Sequence, residues 1–143
     1  LYDIDHNRTE SLAKTVDGKP VRGLEAGLQT DPDTVFITTP SNYHVDPAKR
    51  AANAGCDLFI EKPVSNTRKR VTELLKLIEE HDLTTMVGCN MRFHPSIQAA
   101  KACLEDDRIG TVVSARIEGG SYLPDWHPKE DYREMYSAKK GVG

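Results

Sequence analysis

Residues 34–63 read TVFITTPSNYHVDPAKRAANAGCDLFIEKP, and this stretch decides the fold class. It opens on the β-branched and aromatic run 34–38 and closes on a second apolar run at 58–60, both typical of buried strands. Between these runs, three apolar residues recur at the i, i+3, i+7 spacing of a helix: Val45, Ala48 and Ala52. Gly55 supplies a helix stop. The stretch therefore predicts strand, helix, strand in a parallel sheet.

The alternation continues downstream of this unit. Ser65 or Asn66 can cap a second helix, and a third apolar run follows at 85–87. The apolar stripe of that helix consists of Val71, Leu74, Leu75 and Ile78. Upstream, residues 1–5 resemble the end of one more strand, and two further helices are marked by Leu12 and Val16 and by Leu24 and Leu28. We predict a doubly wound α/β domain whose parallel sheet is covered on both faces.

The pattern changes after residue 92. A helix is predicted from Pro95 to Leu104, followed by residues 111–118, in which apolar and polar side chains alternate. Such alternation is typical of a half-exposed antiparallel strand. We therefore assign residues 1–92 to the doubly wound domain and residues 93–143 to the beginning of an α+β domain with an antiparallel sheet. Residues 119–143 lack periodicity, as a long functional loop would.

Composition excludes several classes of protein. The 143 residues carry 19 Lys+Arg against 22 Asp+Glu, a formal net charge of −3, and the scattered positive charges argue against a nucleic-acid surface. The sequence has no apolar run approaching the ~18 residues that a membrane helix needs. The three cysteines are odd in number and lack metal-ligand spacing, which indicates a reduced, cytoplasmic protein without a metal site.

Ligands of doubly wound folds bind beyond the carboxyl ends of the strands, so the residues there are candidates for a site. Asp3 and Asp5 follow the first strand fragment. A carboxylate at this position accepts hydrogen bonds from an adenosine ribose, or equally caps the helix before Asn7. The polar stretch 39–44 follows the next strand, where a simple turn is the commoner explanation.

Lys62 follows the apolar run 58–60 within the triplet Glu61-Lys62-Pro63. Burial at a strand end lowers the pKa of a lysine and allows proton exchange with a substrate, although a solvated cation is the commoner role. Arg92 comes after the last predicted strand of the domain. Its planar fork suits a ligand, or a salt bridge across the domain boundary.

Taken in order, these strand ends resemble the Gfo/Idh/MocA oxidoreductases, the group of glucose–fructose oxidoreductase and inositol dehydrogenase. The resemblance runs from Leu1 to Gly143. Its matching stretches are 31–46 with Thr-Pro-x-x-x-His, 51–65 with Ala-Ala-Asn-Ala-Gly and Glu-Lys-Pro, and 87–95 with Asn-x-Arg-Phe.

The resemblance implies an oxidoreductase that binds NAD, with NADP possible, and transfers hydride to or from a sugar, cyclitol or activated-sugar alcohol. On this analogy Lys62 hydrogen-bonds the reacting hydroxyl and relays its proton. Asp3 binds the adenosine ribose and favours NAD, because a carboxylate repels a 2′-phosphate. The remaining cofactor contacts are assigned to Thr39, Pro40, Asn42, His44, Glu61, Lys62, Asn90 and Arg92. The full-length protein is expected to be a homo-oligomer.

The segment 122–133 resembles a branch of the family associated with bacterial surface-sugar biosynthesis. Trp126 offers a stacking face to a sugar ring, or equally packs the loop onto the antiparallel sheet. Polar substrate contacts are assigned to Asp125, His127, Tyr132 and Arg133. Asp125 and His127 do not make a complete set of metal ligands. We expect this loop beside the cleft between the two domains.

Two features of the family fall outside this sequence. A glycine-rich phosphate loop is expected before Leu1, and a catalytic Asp-and-His pair after Gly143, so that both ends look cut. The 143-residue chain alone is therefore expected to show no dehydrogenase turnover. A non-catalytic sugar- or dinucleotide-sensing regulator is the alternative if that pair is replaced, and a sugar-binding α/β protein without cofactor is a third reading.

Overall fold

Short helices and parallel strands alternate in the computed structural model, which describes residues 1–140 apart from the side chain of Ser137. The helices are α1 (His6–Thr15), α2 (Leu24–Leu28), α3 (Val45–Asn53), α4 (Val71–Glu80), α5 (Pro95–Glu105) and α6 (Leu123–Trp126). The strands are β1 (Thr34–Ile37), β2 (Asp57–Ile60) and β3 (Thr85–Val87). Single 3-10 turns span Ser41–Tyr43, Asn90–Phe93 and Tyr136–Ala138.

The strands of the described residues form one parallel sheet in the order β1-β2-β3. The register places Ile37 opposite Ile60, and Ile60 opposite Val87. Helices α3 and α4 are the two crossovers, as βαβ units require. The predicted parallel strands at 34–38, 58–60 and 85–87 are confirmed.

A run of small residues on α3 forms the centre of the core. Ala48, Ala51 and Ala52 are fully buried, and the helix packs on β1, β2 and α4. Alanine lets the helix backbone approach the sheet closely while losing no side-chain entropy. Leu58 of β2 and Leu74 of α4 complete this contact, at 2% and 1% exposure. The predicted helical spacing therefore marks the buried face of α3.

The opposite face of the sheet stays open in the described residues. Phe36 and Phe59, neighbours in the register, stack with ring centroids 5.0 Å apart, and 68% of Phe36 is exposed. The predicted cover on both faces is therefore wrong here. Helices α3 and α4 pack against each other, as two right-handed crossovers in succession would place them. The aromatic face is therefore left uncovered in the described part of the chain.

The start of α4 also differs from the prediction. The helix begins at Val71, after Arg70 in the left-handed region (φ 66°), and neither Ser65 nor Asn66 caps it. Arg70 instead pairs with Asp46 of α3. This exposed ion pair lies beside the start of α4, and the helix begins at a position that local capping preferences could not indicate.

A second ion pair joins the same two helices. Lys49 of α3 donates a hydrogen bond to Glu73 of α4. That bond and the lysine charge lower the pKa of Glu73 below its ordinary value. Because the folded-state pKa is depressed, this pair contributes to stability at neutral pH and its contribution is lost as the pH falls through that pKa.

The predicted strand end at residues 1–5 is not a strand in the structure. The amino group of Leu1 donates to Lys19 O (2.7 Å), and Val21 N–H donates to Leu1 O (2.8 Å). These two bonds have the pattern of a parallel pair. A single pair is too short to count as a strand, so the predicted strand end is not confirmed.

A second compact unit begins at Gly88, a few residues before the predicted boundary at 92. Its helix α5 begins as predicted, with Pro95 in the first turn and His94 Nδ1 accepting Ser96 N–H (3.3 Å). Residues 111–118 form no strand, and Val113 and Ile117 are 94% and 95% exposed. A strand needs a neighbour for its backbone groups, and no described segment pairs with this one. Residues 141–143, predicted to continue the loop, lie outside the described residues.

Leu74 and Leu75 provide a matched test of the core, because they are adjacent leucines on α4. We expect Leu74→Ala to lower the free energy of unfolding by about 2–5 kcal/mol through the cavity it leaves. Leu75 is 52% exposed, so Leu75→Ala should cost less than about 1 kcal/mol. Urea unfolding followed by circular dichroism measures both. Equal losses would show that α4 does not pack through Leu74.

Candidate active site

The carboxyl ends of β1 and β2 lie side by side and carry two polar loops. The register brings Ile37 next to Ile60, and Glu61 N–H then donates to Ile37 O (2.9 Å). From there one loop continues through residues 38–44 and the other through residues 61–70. This edge of a parallel sheet is where doubly wound folds bind their ligands.

Lys62 stands at this edge with its side chain in solvent. Its backbone N–H donates to Oε2 of Glu61 (3.1 Å), and the Lys62–Pro63 peptide bond is cis. The side chain of Lys62 is thus solvated in the described structure, which is the commoner of the two roles considered for it in the sequence. The chain leaves the sheet immediately after Ile60, so the lysine follows the last buried position and is not itself covered.

His44 is the most enclosed polar side chain of the site, with 1% exposure. Nδ1 lies 2.8 Å from Pro63 O, and Nε2 lies 2.5 Å from Thr39 O. Both ring nitrogens are therefore engaged by the protein backbone. With both nitrogens bonded in this way, the ring has no free polar atom, and the cofactor contact that the resemblance implies for His44 stays a prediction.

Asn42 differs from His44 in having an unsatisfied group. Its Oδ1 is buried and has no hydrogen-bond partner in the described structure. It stands in the 3-10 turn after β1, between buried Ser41 and exposed Tyr43. Unpaired buried acceptors are rare, so this oxygen suits an N–H donor from a bound ligand.

Asp3 and Asp5 have different roles. Oδ1 of Asp5 accepts the N–H groups of Asn7 (3.0 Å) and Arg8 (3.3 Å), which makes Asp5 the N-cap of α1. Oδ1 of Asp3 accepts Asp5 N–H (2.9 Å), and no described residue bonds its second oxygen. Asp5 is thus the cap, and Asp3 keeps an acceptor for a ligand.

Thr9 is a residue of this region that the sequence analysis missed. It is 4% exposed, its Oγ1 accepts Asp3 N–H (2.9 Å), and the hydroxyl donates to Asp5 O (3.3 Å). The hydroxyl thereby orders the Asp3–Asp5 segment. A threonine four residues after a capping aspartate was the available signal, since its hydroxyl lies one helical turn from the cap.

The remaining predicted contacts lie in the second unit. Asn90 and Arg92 belong to its first 3-10 turn, and the side chain of Gln98 donates to Arg92 O. Trp126 ends α6 with 61% of its surface exposed, so within the described residues it does not pack a loop onto a sheet. The guanidinium of Arg133 lies 4.6 Å from the centroid of the Tyr132 ring.

The described residues contain neither a cluster of metal ligands nor a helix that could span a membrane. Nowhere in residues 1–140 do three His, Cys, Asp or Glu side chains gather as a metal site would require. The helices described are also too short and polar to cross a membrane. Cys56, Cys89 and Cys103 are free thiols, and burial raises the pKa of Cys56.

Comparison with known families agrees with this geometry. The family model GFO_IDH_MocA, described as "Oxidoreductase family, NAD-binding Rossmann fold", matches residues 1–89. The chain belongs to the Gfo/Idh/MocA oxidoreductases. The predicted family and the prediction of an NAD-binding Rossmann domain are thereby confirmed.

Relatives of this family member include dehydrogenases and reductases. Inositol 2-dehydrogenase of Rhizobium meliloti is 38% identical over 101 residues, covering 70% of this chain and 31% of that protein. The WlbA dehydrogenase of Chromobacterium violaceum, solved with NADH and UDP-GlcNAcA, matches with a TM-score of 0.71 at 25% identity, over 76% of this chain and 32% of that one. The 3-ketoreductase KijD10 of Actinomadura kijaniata, solved with NADP and TDP-benzene, matches with a TM-score of 0.66 at 26% identity. The match covers 73% of this chain and 33% of that one. The chain thus spans about a third of the length of these relatives.

Asp5 can be tested as a cap without touching Asp3. We expect Asp5→Ala to destabilise the protein by about 1 kcal/mol, because two N–H groups of α1 lose their acceptor. Asp5→Asn keeps an oxygen in place and should cost less than half as much. Thermal unfolding monitored by calorimetry measures both variants. If alanine and asparagine cost the same, Asp5 does not act through its cap bonds.

Proposed function

We propose that this family member is a nicotinamide-dependent dehydrogenase that moves hydride between NAD and a CH–OH group of a sugar, cyclitol or nucleotide-activated sugar. One observation carries the proposal. Lys62, an exposed lysine, stands two residues after the end of the parallel strand β2, at the edge where an NAD-binding Rossmann domain holds its ligand. Backbone contacts of Glu61 and Pro63 anchor the residues on either side of it.

Two residues of the first unit suit the cofactor. Asp3 has a carboxylate oxygen without a described partner, which can accept the ribose hydroxyls of adenosine. Asn42 has the orphaned Oδ1, which can accept an amide N–H such as that of the nicotinamide carboxamide. The nicotinamide, when bound, supplies the hydride chemistry. Thr39 and Pro40 belong to the same turn and complete this part of the proposed site.

Proton transfer is the step of the reaction that we assign to the protein. Oxidation of an alcohol releases a hydride from carbon and a proton from oxygen. Lys62 Nζ is free to approach the hydroxyl. As the neutral amine it takes the hydroxyl proton in the oxidative direction, and as the resulting ammonium it returns one in the reductive direction. Glu61 holds the lysine backbone through its carboxylate, which leaves Nζ for the substrate.

The substrate contacts are proposed for the second unit. Trp126 presents an exposed ring of the kind that stacks on sugars, and His127, Tyr132 and Arg133 supply polar groups near it in sequence. Residues 93–143 would then begin the substrate domain, and Asn90 and Arg92 would contribute to the cofactor side. The nucleotide-sugar ligands of WlbA and the inositol named for the Rhizobium protein support this substrate class. A role in surface-sugar synthesis, a cytoplasmic location and a homo-oligomeric state belong to the same proposal.

Lys62 can be tested against Lys69, an exposed lysine of the same loop. In the intact protein we expect Lys62→Met to lower kcat about a hundredfold or more, equivalent to ~3 kcal/mol of transition-state stabilisation, because the proton loses its acceptor. Steady-state NAD reduction with myo-inositol and with a UDP-sugar measures kcat, and calorimetric titration measures NAD binding.

Two results would contradict the proposed role of Lys62. One is unchanged turnover in Lys62→Met. The other is an equal loss in Lys69→Met, which would point to the general charge of the loop. NAD affinity should stay within about threefold in both variants, since the proposal assigns the lysine to the substrate.

Asp3 can be tested through cofactor preference. We expect Asp3→Asn to raise the affinity for NADP relative to NAD by about tenfold, because the negative charge that repels a 2′-phosphate is removed. Asp5→Asn changes a neighbouring carboxylate in the same way and should leave the ratio unaltered. Dissociation constants of both cofactors, measured by fluorescence quenching, decide the question. An unaltered ratio in Asp3→Asn would assign the ribose contact elsewhere.

A further inference from the structure

The ring of His44 joins two loops that belong to different strands. Thr39 lies in the loop after β1, and Pro63 lies in the loop after β2, 24 positions further along the chain. The ladder between these strands ends where Glu61 N–H donates to Ile37 O. Beyond that point the His44 ring bridges the loops through their backbone carbonyls, with contacts of 2.5 Å to Thr39 and 2.8 Å to Pro63.

The bridge is chemically specific. Carbonyl oxygens only accept, so each contact requires an N–H on the ring. A neutral imidazole carries one N–H and donates to one carbonyl at a time, whereas the imidazolium donates to both. Because the ring is 1% exposed, water cannot readily replace either bond, and an apolar side chain of similar size would leave both carbonyls unsatisfied.

The bond of His44 to Pro63 also constrains the backbone next to Lys62. Pro63 directly follows Lys62, whose exposed side chain has four rotatable bonds and no described partner of its own. Such a chain reaches one place reproducibly only when its backbone is fixed. On one side of Lys62 the backbone is fixed by the Glu61 N–H bond to β1. On the other side it is fixed by the bond of His44 to Pro63.

We infer that His44 is a positioning residue, which fixes the backbone of Lys62 against the turn after β1 through the Pro63 carbonyl. The inference rests on the proton-exchanging role proposed for Lys62. It replaces a contact between His44 and cofactor by a contact between His44 and the loop that carries the lysine. Of its two bonds, the one from Nδ1 to Pro63 serves the lysine, and the one from Nε2 to Thr39 serves the turn.

Three substitutions of His44 separate these two bonds. Asparagine places its amide nitrogen near the position of Nδ1, and glutamine places its amide nitrogen near that of Nε2. His44→Asn therefore keeps a donor for Pro63, and His44→Gln keeps one for Thr39. His44→Leu fills the space and donates to neither. All three variants lose a buried imidazole, so a general loss of packing affects them alike.

The first measurement is steady-state kinetics of the intact protein with NAD and myo-inositol or a UDP-sugar, at a temperature well below unfolding. We expect His44→Asn to keep kcat within about threefold of the wild type, and His44→Gln and His44→Leu to lose about tenfold or more. The KM for NAD should change little in all three. Turnover losses that follow the melting temperatures, or that are equal in the three variants, would overturn the inference.

The second measurement does not depend on activity. Hydrogen exchange followed by mass spectrometry should show the 61–67 peptide exchanging about tenfold faster in His44→Gln and His44→Leu, and at the wild-type rate in His44→Asn. The peptide containing Leu74 should stay protected in all variants. Equal exchange of the 61–67 peptide in Asn and Gln variants would overturn the inference. Absence of turnover in the wild-type protein would refute the proposed function, and the exchange result would then decide the role of His44 alone.

Discussion

The parallel register between β1 and β2 is the constraint on which the rest of the structure depends. It places Ile37 opposite Ile60, so that both strands end at the same level. The loops that follow are then neighbours, and their polar groups meet although they are far apart in sequence. The alanine face of α3 makes this register possible, because fully buried small residues let the crossover helix lie close to both strands.

The polar residues of the candidate site divide into those that bond to the protein backbone and those that keep an unbonded oxygen for a ligand. The ring nitrogens of His44 and the Oδ1 of Asp5 hydrogen-bond to backbone groups. Asn42 and Asp3, each close in sequence to one of them, retain an oxygen that no described residue satisfies. Residues that bond to the backbone hold their ligand-binding neighbours in place before a ligand arrives. This preorganisation reduces the free energy lost in ordering the site on binding.

The two sequence units differ in how far local pattern decides their structure. In the first unit, β1, β2 and β3 pair with one another, and α3 and α4 pack together and bury Ala48 and Leu74, all within about ninety residues. In the second, α5 forms from its own cap and proline, while residues 111–118 form no ladder. A helix satisfies its backbone hydrogen bonds internally, whereas a strand depends on a neighbouring strand. An equally clear sequence pattern therefore gives a helix at α5 but no strand at residues 111–118.

The sequence by itself determined the strand–helix alternation of residues 34–87, the order of the polar strand ends and the family, because periodicity and short motifs are local properties. It could not decide what each polar side chain does. That Asp5 and not Asp3 is the cap is a local choice, because Asp5 accepts the N–H groups two and three residues along, but residue type does not make that choice. That Lys62 is exposed and that His44 binds Pro63 depend on segments that meet only after folding. Tertiary structure decided these roles, since a hydrogen bond is specified by the position of its partner and not by the residue type alone.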